Sequence, residues 1–179
     1  MGTSRSESAL DVTIRLEFLD EEDVTDEQRA LAGDLLWEAF RNEIALGRGC
    51  ILHRPAYRAF AWAGNELVGV GMGCFPQCDP PIRLCGLGDG AVRAEWRGRG
   101  IWRAISKPRF ETLRQIEPGI EAMLGCTQFG SVLLDLGFRP VGSGELRLGR
   151  PGGKIVDLHR GWYVHWFREP VPLLLERRF

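Results

Sequence analysis

Apolar and polar side chains follow two regular patterns along this chain, and together they predict an alternation of strands and helices. Residues 12–18 alternate apolar with polar side chains, which predicts a half-buried strand. Residues 25–43 instead repeat apolar side chains at helical spacing. Thr25 followed by Gln28 fits a capping box, so we expect a helix to begin there.

Glycine-rich apolar runs fill the middle of the sequence. Residues 57–63 and 67–75 flank a Gly64-Asn65 turn and predict a β-hairpin, and residues 82–92 predict the next strand. Glycines alternate with valine and methionine in the second arm of the hairpin, which leaves room for another element to lie against one face. Further glycines along residues 82–92 favour a β-bulge.

Helical spacing returns over residues 100–116, where Pro108 is expected to kink or shorten the helix. A second short helix is predicted over residues 129–136, with Gly137 as its left-handed cap. The other apolar runs predict short strands over residues 120–126, 138–141, 145–148 and 162–167. This succession of strands and helices predicts an α/β (α+β) fold.

Size and charge narrow the class of protein. A length of 179 residues suits one domain, which we assign to residues 11–179, with residues 1–10 expected to be disordered. The net charge of −1 gives no reason to expect binding to nucleic acid or to an acidic membrane surface. Because we find neither a bilayer-spanning apolar run nor a signal-peptide core, we expect a cytoplasmic protein.

The five cysteines and three histidines predict neither a disulfide framework nor a metal site. Five is an odd number, and the spacings are not those of a disulfide-stapled domain. The histidines are scattered, and no second cysteine pair joins Cys74 and Cys78 to complete a zinc site. We therefore expect most of the cysteines to be small buried residues in a reducing compartment.

One stretch combines a strand end, a basic glycine turn and a helix start. It reads Ala91-Val92-Arg93-Ala94-Glu95-Trp96-Arg97-Gly98-Arg99-Gly100-Ile101-Trp102. The first amides of a helix have no partners inside it and, with the helix dipole, they attract phosphate. Gly98 and Gly100 allow the backbone to approach a ligand, and Arg97 and Arg99 supply forked donors. The stretch therefore predicts a phosphate-binding turn.

The same stretch resembles motif A of the GCN5-related N-acetyltransferases, the GNAT superfamily. Val92, Arg97 and Gly100 match that motif, whereas Ala94 replaces its proline and Trp102 its last small residue. The resemblance implies a single GNAT domain: a mixed, mostly antiparallel sheet of six to seven strands flanked by helices, with a bulged strand and a splay beside it. It also implies acyl-CoA as cosubstrate, bound by Ala91, Val92, Arg97, Gly98, Arg99, Gly100, Ile101 and Trp102.

Residues 131–138 resemble motif B of the same superfamily, with its closing Gly-Phe pair in place. The tyrosine that usually acts as the acid there is Leu133 in this chain, and Cys126 aligns with an asparagine common at the end of the preceding strand. The acid therefore stays open between water, another group and a thiolate that leaves unaided. The resemblance implies Asp89 as the base, with Cys126 as a second catalytic candidate. Alternatively, Asp89 is a turn aspartate bonded to nearby backbone.

In GNAT proteins the connection between the first helix and the next strand borders the acceptor site. The resemblance therefore implies that His53 and Tyr57 contact the acceptor. A lone histidine is more often a structural or surface residue, and that alternative stays open for His53.

The chain is also similar to the rhizobial nodulation N-acyltransferases. The parallels are Val92-Arg93, the turn at residues 98–101, Pro108 and the tail at residues 162–172. This second resemblance implies a fatty acyl donor carried by an acyl carrier protein. The basic residues that would face such an acidic carrier are Arg93, Arg97, Arg99, Arg103 and Lys107.

Three functions follow from these resemblances. The first is an N-acyltransferase that moves an acyl group from acyl-CoA to a primary amine of a small molecule or peptide. The second takes the acyl group from a carrier-protein thioester in a biosynthetic pathway. The third is a degenerate domain that binds coenzyme A or a partner without catalysis, which Leu133 and Trp102 favour. An exposed C-terminal edge strand would also allow a homodimer.

Overall fold

The computed structural model describes residues 13–45, 55–127, 130–149, 155–158 and 161–175, and gives the backbone alone for residues 43–45 and 89. The predicted disordered segment therefore lies outside the described residues. The helices are α1 Asp26–Ala45, α2 Ile101–Ile116 and α3 Ser131–Asp135, with single 3-10 turns at Glu21–Asp23 and Ala94–Trp96. The strands are β1 Ile14–Asp20, β2 Tyr57–Ala63, β3 Glu66–Cys74, β4 Cys78–Asp79, β5 Leu84–Val92, β6 Ala122–Cys126, β7 Arg139–Pro140, β8 Leu146–Gly149, β9 Ile155–Asp157, β10 Trp162–Trp166 and β11 Leu173–Leu175.

Seven strands within the described parts of the chain form the main sheet, in the order β1-β2-β3-β5-β6-β10-β7. β5 and β6 run parallel, as a helical crossover such as α2 requires, and the other paired strands are antiparallel. This mixed, mostly antiparallel sheet confirms the predicted fold class. β4, β11, β8 and β9 form a second, smaller sheet in which β8 and β11 are parallel.

Helix α1 covers one face of the main sheet. Its start is the predicted capping box: the Thr25 amide donates to Gln28 Oε1 at 2.9 Å, and the Gln28 amide donates to Thr25 Oγ1 at 3.2 Å. Further along the helix, Leu35 joins Phe60 and Val70 in a buried cluster. The apolar stripe of the predicted helix therefore packs the core.

Helix α2 covers the opposite face, and the alternating glycines of β3 allow it to lie close. A β-carbon added at Gly73 would be 2.9 Å from Leu113 Cδ1 of the helix. One added at Gly71 would overlap the Arg109 guanidinium. The element predicted to lie against the glycine face is therefore α2 itself.

The second half of the chain departs from the sequence prediction in detail. The strands β4, β9 and β11 were not predicted. Each is two or three residues long and is defined by pairing with strands distant in sequence. Pro108 does not shorten α2, which continues to Ile116. Gly137 has φ 83°, which confirms the predicted left-handed conformation after α3.

The helices of the described segments include none that is both long and apolar enough to cross a bilayer.

Candidate functional site

The parallel strands β5 and β6 are paired along only part of β5. Their last paired residues are Leu87 and Gly125. Beyond that point β6 ends at Cys126, which pairs with Trp162 of β10 on its other side. β5 continues to Val92, so the two strands separate, and we call the opening beyond Leu87 and Gly125 the splay. An extended ligand can hydrogen-bond to an unpaired strand edge of this kind.

β5 bulges where the splay opens. β3 pairs with β5 at Ala91 and again at Gly88, and a single β3 residue, Gly71, lies opposite both Asp89 and Gly90. The predicted bulge is therefore confirmed. A bulge redirects backbone groups at the edge of a sheet and ends regular pairing.

The turn after β5 contains two glycines in the left-handed conformation. Gly98 and Gly100 have φ values of 76° and 77°, which side-chain-bearing residues rarely adopt. Gly100 immediately precedes α2, and its carbonyl accepts a hydrogen bond from the Ala104 amide at 2.9 Å. Residues 97–100 are all exposed. The unpaired amides at the start of α2 are therefore open to a ligand from solvent.

Two arginines are fixed beside this turn. Arg97 Nε donates to the Val92 carbonyl at 3.1 Å, which ties its side chain to the end of β5. The Arg99 guanidinium carbon lies 4.8 Å from the centre of the Trp96 ring, within cation–π range. Both side chains therefore add positive charge to the positive end of the α2 dipole.

The indole of Trp102 lies over the bulge. A β-carbon added at Gly90 would overlap this ring, so the glycine provides the space that the indole occupies. The Arg109 guanidinium carbon lies 5.2 Å from the Trp102 ring centre. A large ring thus lines the splay at the position where motif A has a small residue.

Arg109 is a buried cation directly beneath the bulge, and sequence analysis did not single it out. The residue is 1% exposed, and its Nη1 donates to the carbonyls of Met72 at 3.3 Å and Gly88 at 3.4 Å. The signal in the sequence is its position on α2, in line with the buried residues Ile105 and Leu113. An arginine on the apolar stripe of a helix faces the core and needs partners there.

At the far wall of the splay, α3 packs on the end of β6. Leu133 is buried, and a β-carbon added at Gly125 would be 2.7 Å from its Cδ1. Cys126 follows at the strand end. Although the residue is exposed overall, local desolvation raises the pKa of its thiol, which keeps it protonated and weakly nucleophilic. Its catalytic role stays a prediction.

The remaining predicted residues are placed unequally. Tyr57 is 2% exposed and stacks on Phe18 with ring centres 6.2 Å apart, and burial raises the pKa of its phenol to about 12. This position favours core packing over contact with an acceptor. His53 and the Asp89 side chain lie outside the described residues, so their roles stay predictions. In the parts of the chain that the structure describes, no group of at least 3 His, Cys, Asp or Glu side chains is arranged to hold a metal ion.

No protein-family model and no curated protein sequence matches the chain. Solved structures do. Escherichia coli YhbS, a GNAT family N-acetyltransferase in complex with CoA, superimposes with a TM-score of 0.64 and 15% identity over 93% of this chain and 91% of that one. A GNAT family acetyltransferase from Brucella melitensis in complex with acetyl-CoA superimposes with a TM-score of 0.59 and 15% identity, over 88% of this chain and 92% of that one. An acyl-CoA N-acyltransferase from Pseudomonas aeruginosa superimposes with a TM-score of 0.63 and 13% identity, over 85% of this chain and 99% of that one. With the splay, the bulge and the glycine turn, these likenesses show that the chain has the GNAT fold.

Proposed function

We propose that this protein is an N-acyltransferase that moves an acyl group from acyl-CoA to a primary amine of a small molecule or peptide. The observation that carries the proposal is that the glycine turn leads directly into the splay. A pyrophosphate on the turn amides would direct the pantetheine arm along the unpaired edge of β5. Structures of the same fold in complex with CoA and with acetyl-CoA support this choice of donor.

Backbone amides and arginine side chains would both bind the donor. Backbone amides around Gly98 and Gly100 would bind the pyrophosphate oxygens, because both residues leave the chain open to close approach. Arg97 and Arg99 would add charge from positions already fixed by Val92 and Trp96.

Acyl transfer at the bulge would follow from attack by the amine nitrogen on the thioester carbonyl carbon. The C–N bond forms, the C–S bond breaks and a thiolate leaves, while a base takes the proton lost by the amine. We assign that base to Asp89, since its backbone lies in the bulge. Backbone N–H groups freed by the bulge would stabilise the developing oxyanion.

A carrier-protein thioester is the second candidate donor, and one observation favours it. Arg103 and Lys107 are exposed four residues apart, on the same side of α2, and Arg99 is exposed in the turn before the helix, so a basic stripe of three cations lies near the start of α2. Arg103 forms an ion pair with Asp135 of α3, so the surface is partly neutralised. An acidic carrier could dock on such a stripe.

Calorimetric titration with acetyl-CoA, a long-chain acyl-CoA and free CoA tests the proposal. We expect all three to bind, because the pyrophosphate is common to them, and the ranking to report the preferred acyl length. Replacing both turn arginines (Arg97→Ala with Arg99→Ala) should weaken binding by at least about tenfold, since charge-assisted hydrogen bonds to phosphate are lost.

The matched control removes two exposed arginines away from the turn, Arg41→Ala with Arg147→Ala. It changes the net charge equally and should leave affinity within about twofold, because distant surface charges are screened. Equal losses in the two double variants would contradict the assigned anchor. Absence of binding by all three ligands would overturn acyl-CoA as donor and favour the carrier protein. Binding without transfer to any amine in a broad panel would favour the non-catalytic domain.

A further inference from the structure

We propose that Tyr163 is the general acid that protonates the leaving thiolate, an inference that rests on the proposed acyl transfer. Breaking the C–S bond leaves a negative charge on sulfur, and a nearby proton donor lowers that barrier. Leu133, packed on Gly125 at the far wall of the splay, is apolar and supplies no proton. A side-chain donor would therefore come from another element.

Strand pairing brings Tyr163 to this wall. In the register of β10 and β6, Tyr163 lies directly opposite Gly125, the residue of β6 at which pairing with β5 ends. Residues directly opposite in an antiparallel pair point to the same face. Tyr163 accordingly packs against the buried cluster that includes Leu133 and Met123, on the face that carries α2 and α3. The residue is half-buried, in contrast to the buried Leu133.

A glycine reserves space for the Tyr163 hydroxyl. A β-carbon added at Gly130, the residue before α3, would overlap the phenol oxygen. Gly130 has φ −64° and ψ −17°, an ordinary helical conformation that any residue can adopt. The backbone therefore does not need a glycine here, but the phenol does. Gly130 lies just beyond the end of β6, at the end of the strand where the splay opens.

The proton balance is simple. The leaving sulfur takes the hydroxyl proton of Tyr163 to become a thiol, and the phenolate that remains regains a proton from water. No oxidant, metal or further reactant enters. A phenol is both donor and acceptor, so the same oxygen can complete the cycle.

The chain offers a matched control, because its 2 tyrosines are Tyr57 and Tyr163. Tyr57 lies in the core beneath α2 and is 2% exposed, so Tyr57→Phe removes an equivalent hydroxyl without touching the splay. A second variant, Gly130→Ala, keeps the Tyr163 phenol but displaces it, since the added methyl would take its place.

The experiment measures kcat and KM of the full chain with two thioesters of one acyl group, using the best amine acceptor from a panel. One leaving group is coenzyme A, and the other is 4-nitrothiophenol, an acidic thiol that leaves without protonation. Because the nitrothiophenyl ester lacks the pyrophosphate anchor, each variant is compared with the wild type on the same ester, as a ratio of kcat/KM. We expect Tyr163→Phe to lower kcat with the coenzyme A thioester about 100-fold and to leave its KM near the wild-type value. With the nitrothiophenyl ester, Tyr163→Phe should react nearly as fast as the wild type. Gly130→Ala should follow the same pattern more weakly, and Tyr57→Phe should not.

Two results would overturn the role of Tyr163 and leave the proposed acyl transfer standing. One is an unchanged kcat for Tyr163→Phe with the coenzyme A thioester, and the other is an equal loss with both thioesters, as a merely structural role would give. Calorimetric titration of wild type and Tyr163→Phe with free CoA separates this failure from failure of the proposed function. If the wild type binds no CoA and transfers no acyl group, both proposals fall together.

Discussion

The two halves of β5 behave differently. Residues 84–87 pair with β3 or β6 in regular register, and Leu84, Cys85 and Leu87 are buried. Residues 88–92 bulge against β3 and have lost β6 as a neighbour. Side chains of α2 brace this second half from one face of the sheet: Trp102 lies over Gly90, and Arg109 bonds the Gly88 carbonyl. Where regular strand pairing ends, side chains of a helix therefore support β5.

Removing the buried brace should have the largest effect on stability. Arg109→Ala leaves the carbonyls of Met72 and Gly88 without this donor, and it empties the space against Gly71. We expect a loss of about 3 kcal/mol in the free energy of unfolding, measured by urea denaturation. Arg103→Ala, which breaks an ion pair at the surface, should cost less than about 1 kcal/mol. Similar losses in the two variants would show that the brace does not support β5.

A methyl group added to β5 at the bulge tests the contact between this strand and the α2 side chains. Gly90→Ala would push the Trp102 indole away from the bulge, at a cost of about 1–2 kcal/mol for overpacking. The tryptophan emission should shift as the ring moves. Gly33→Ala is the matched control, because Gly33 is an exposed position of α1 where an added methyl group has no atom within 4 Å. That change should stabilise the protein by up to about 1 kcal/mol. Unchanged stability and emission in Gly90→Ala would show that the bulge tolerates a displaced ring.

How far the sequence predicts this arrangement depends on whether its signals are local. The hairpin, the bulge and the glycine turn follow from glycines and alternating apolar residues within each segment, and the structure contains all of them. The second sheet was missed because β4, β9 and β11 are too short to show a period. Arg109 was missed because its partners lie on other strands, where only the folded chain brings them together. The relation of Tyr163 to Gly130 was missed because it depends on the register of β10, which the sequence does not show.

The smallest predicted effect lies at the regular edge of the sheet, away from the splay. Burial alone would raise the pKa of Glu21, but hydrogen bonds from Arg58 at 2.6 Å and Arg29 at 3.0 Å lower it below 4.5. A carboxyl with a lowered pKa stabilises the folded state above its unfolded pKa, and that contribution is lost as pH falls through the folded pKa.

Comparison of wild type with Glu21→Gln should therefore show a stability difference below about 1 kcal/mol at neutral pH that shrinks below pH 4.5. Urea denaturation at a series of pH values measures it. Glu22→Gln removes the same charge from an exposed neighbour and should give a difference within about 0.5 kcal/mol throughout. If the Glu21→Gln difference instead grew as pH fell, the carboxylate would be a destabilising group. The regular edge would then depend on strand pairing alone, without the ionic contacts that link Glu21 to β2 and α1.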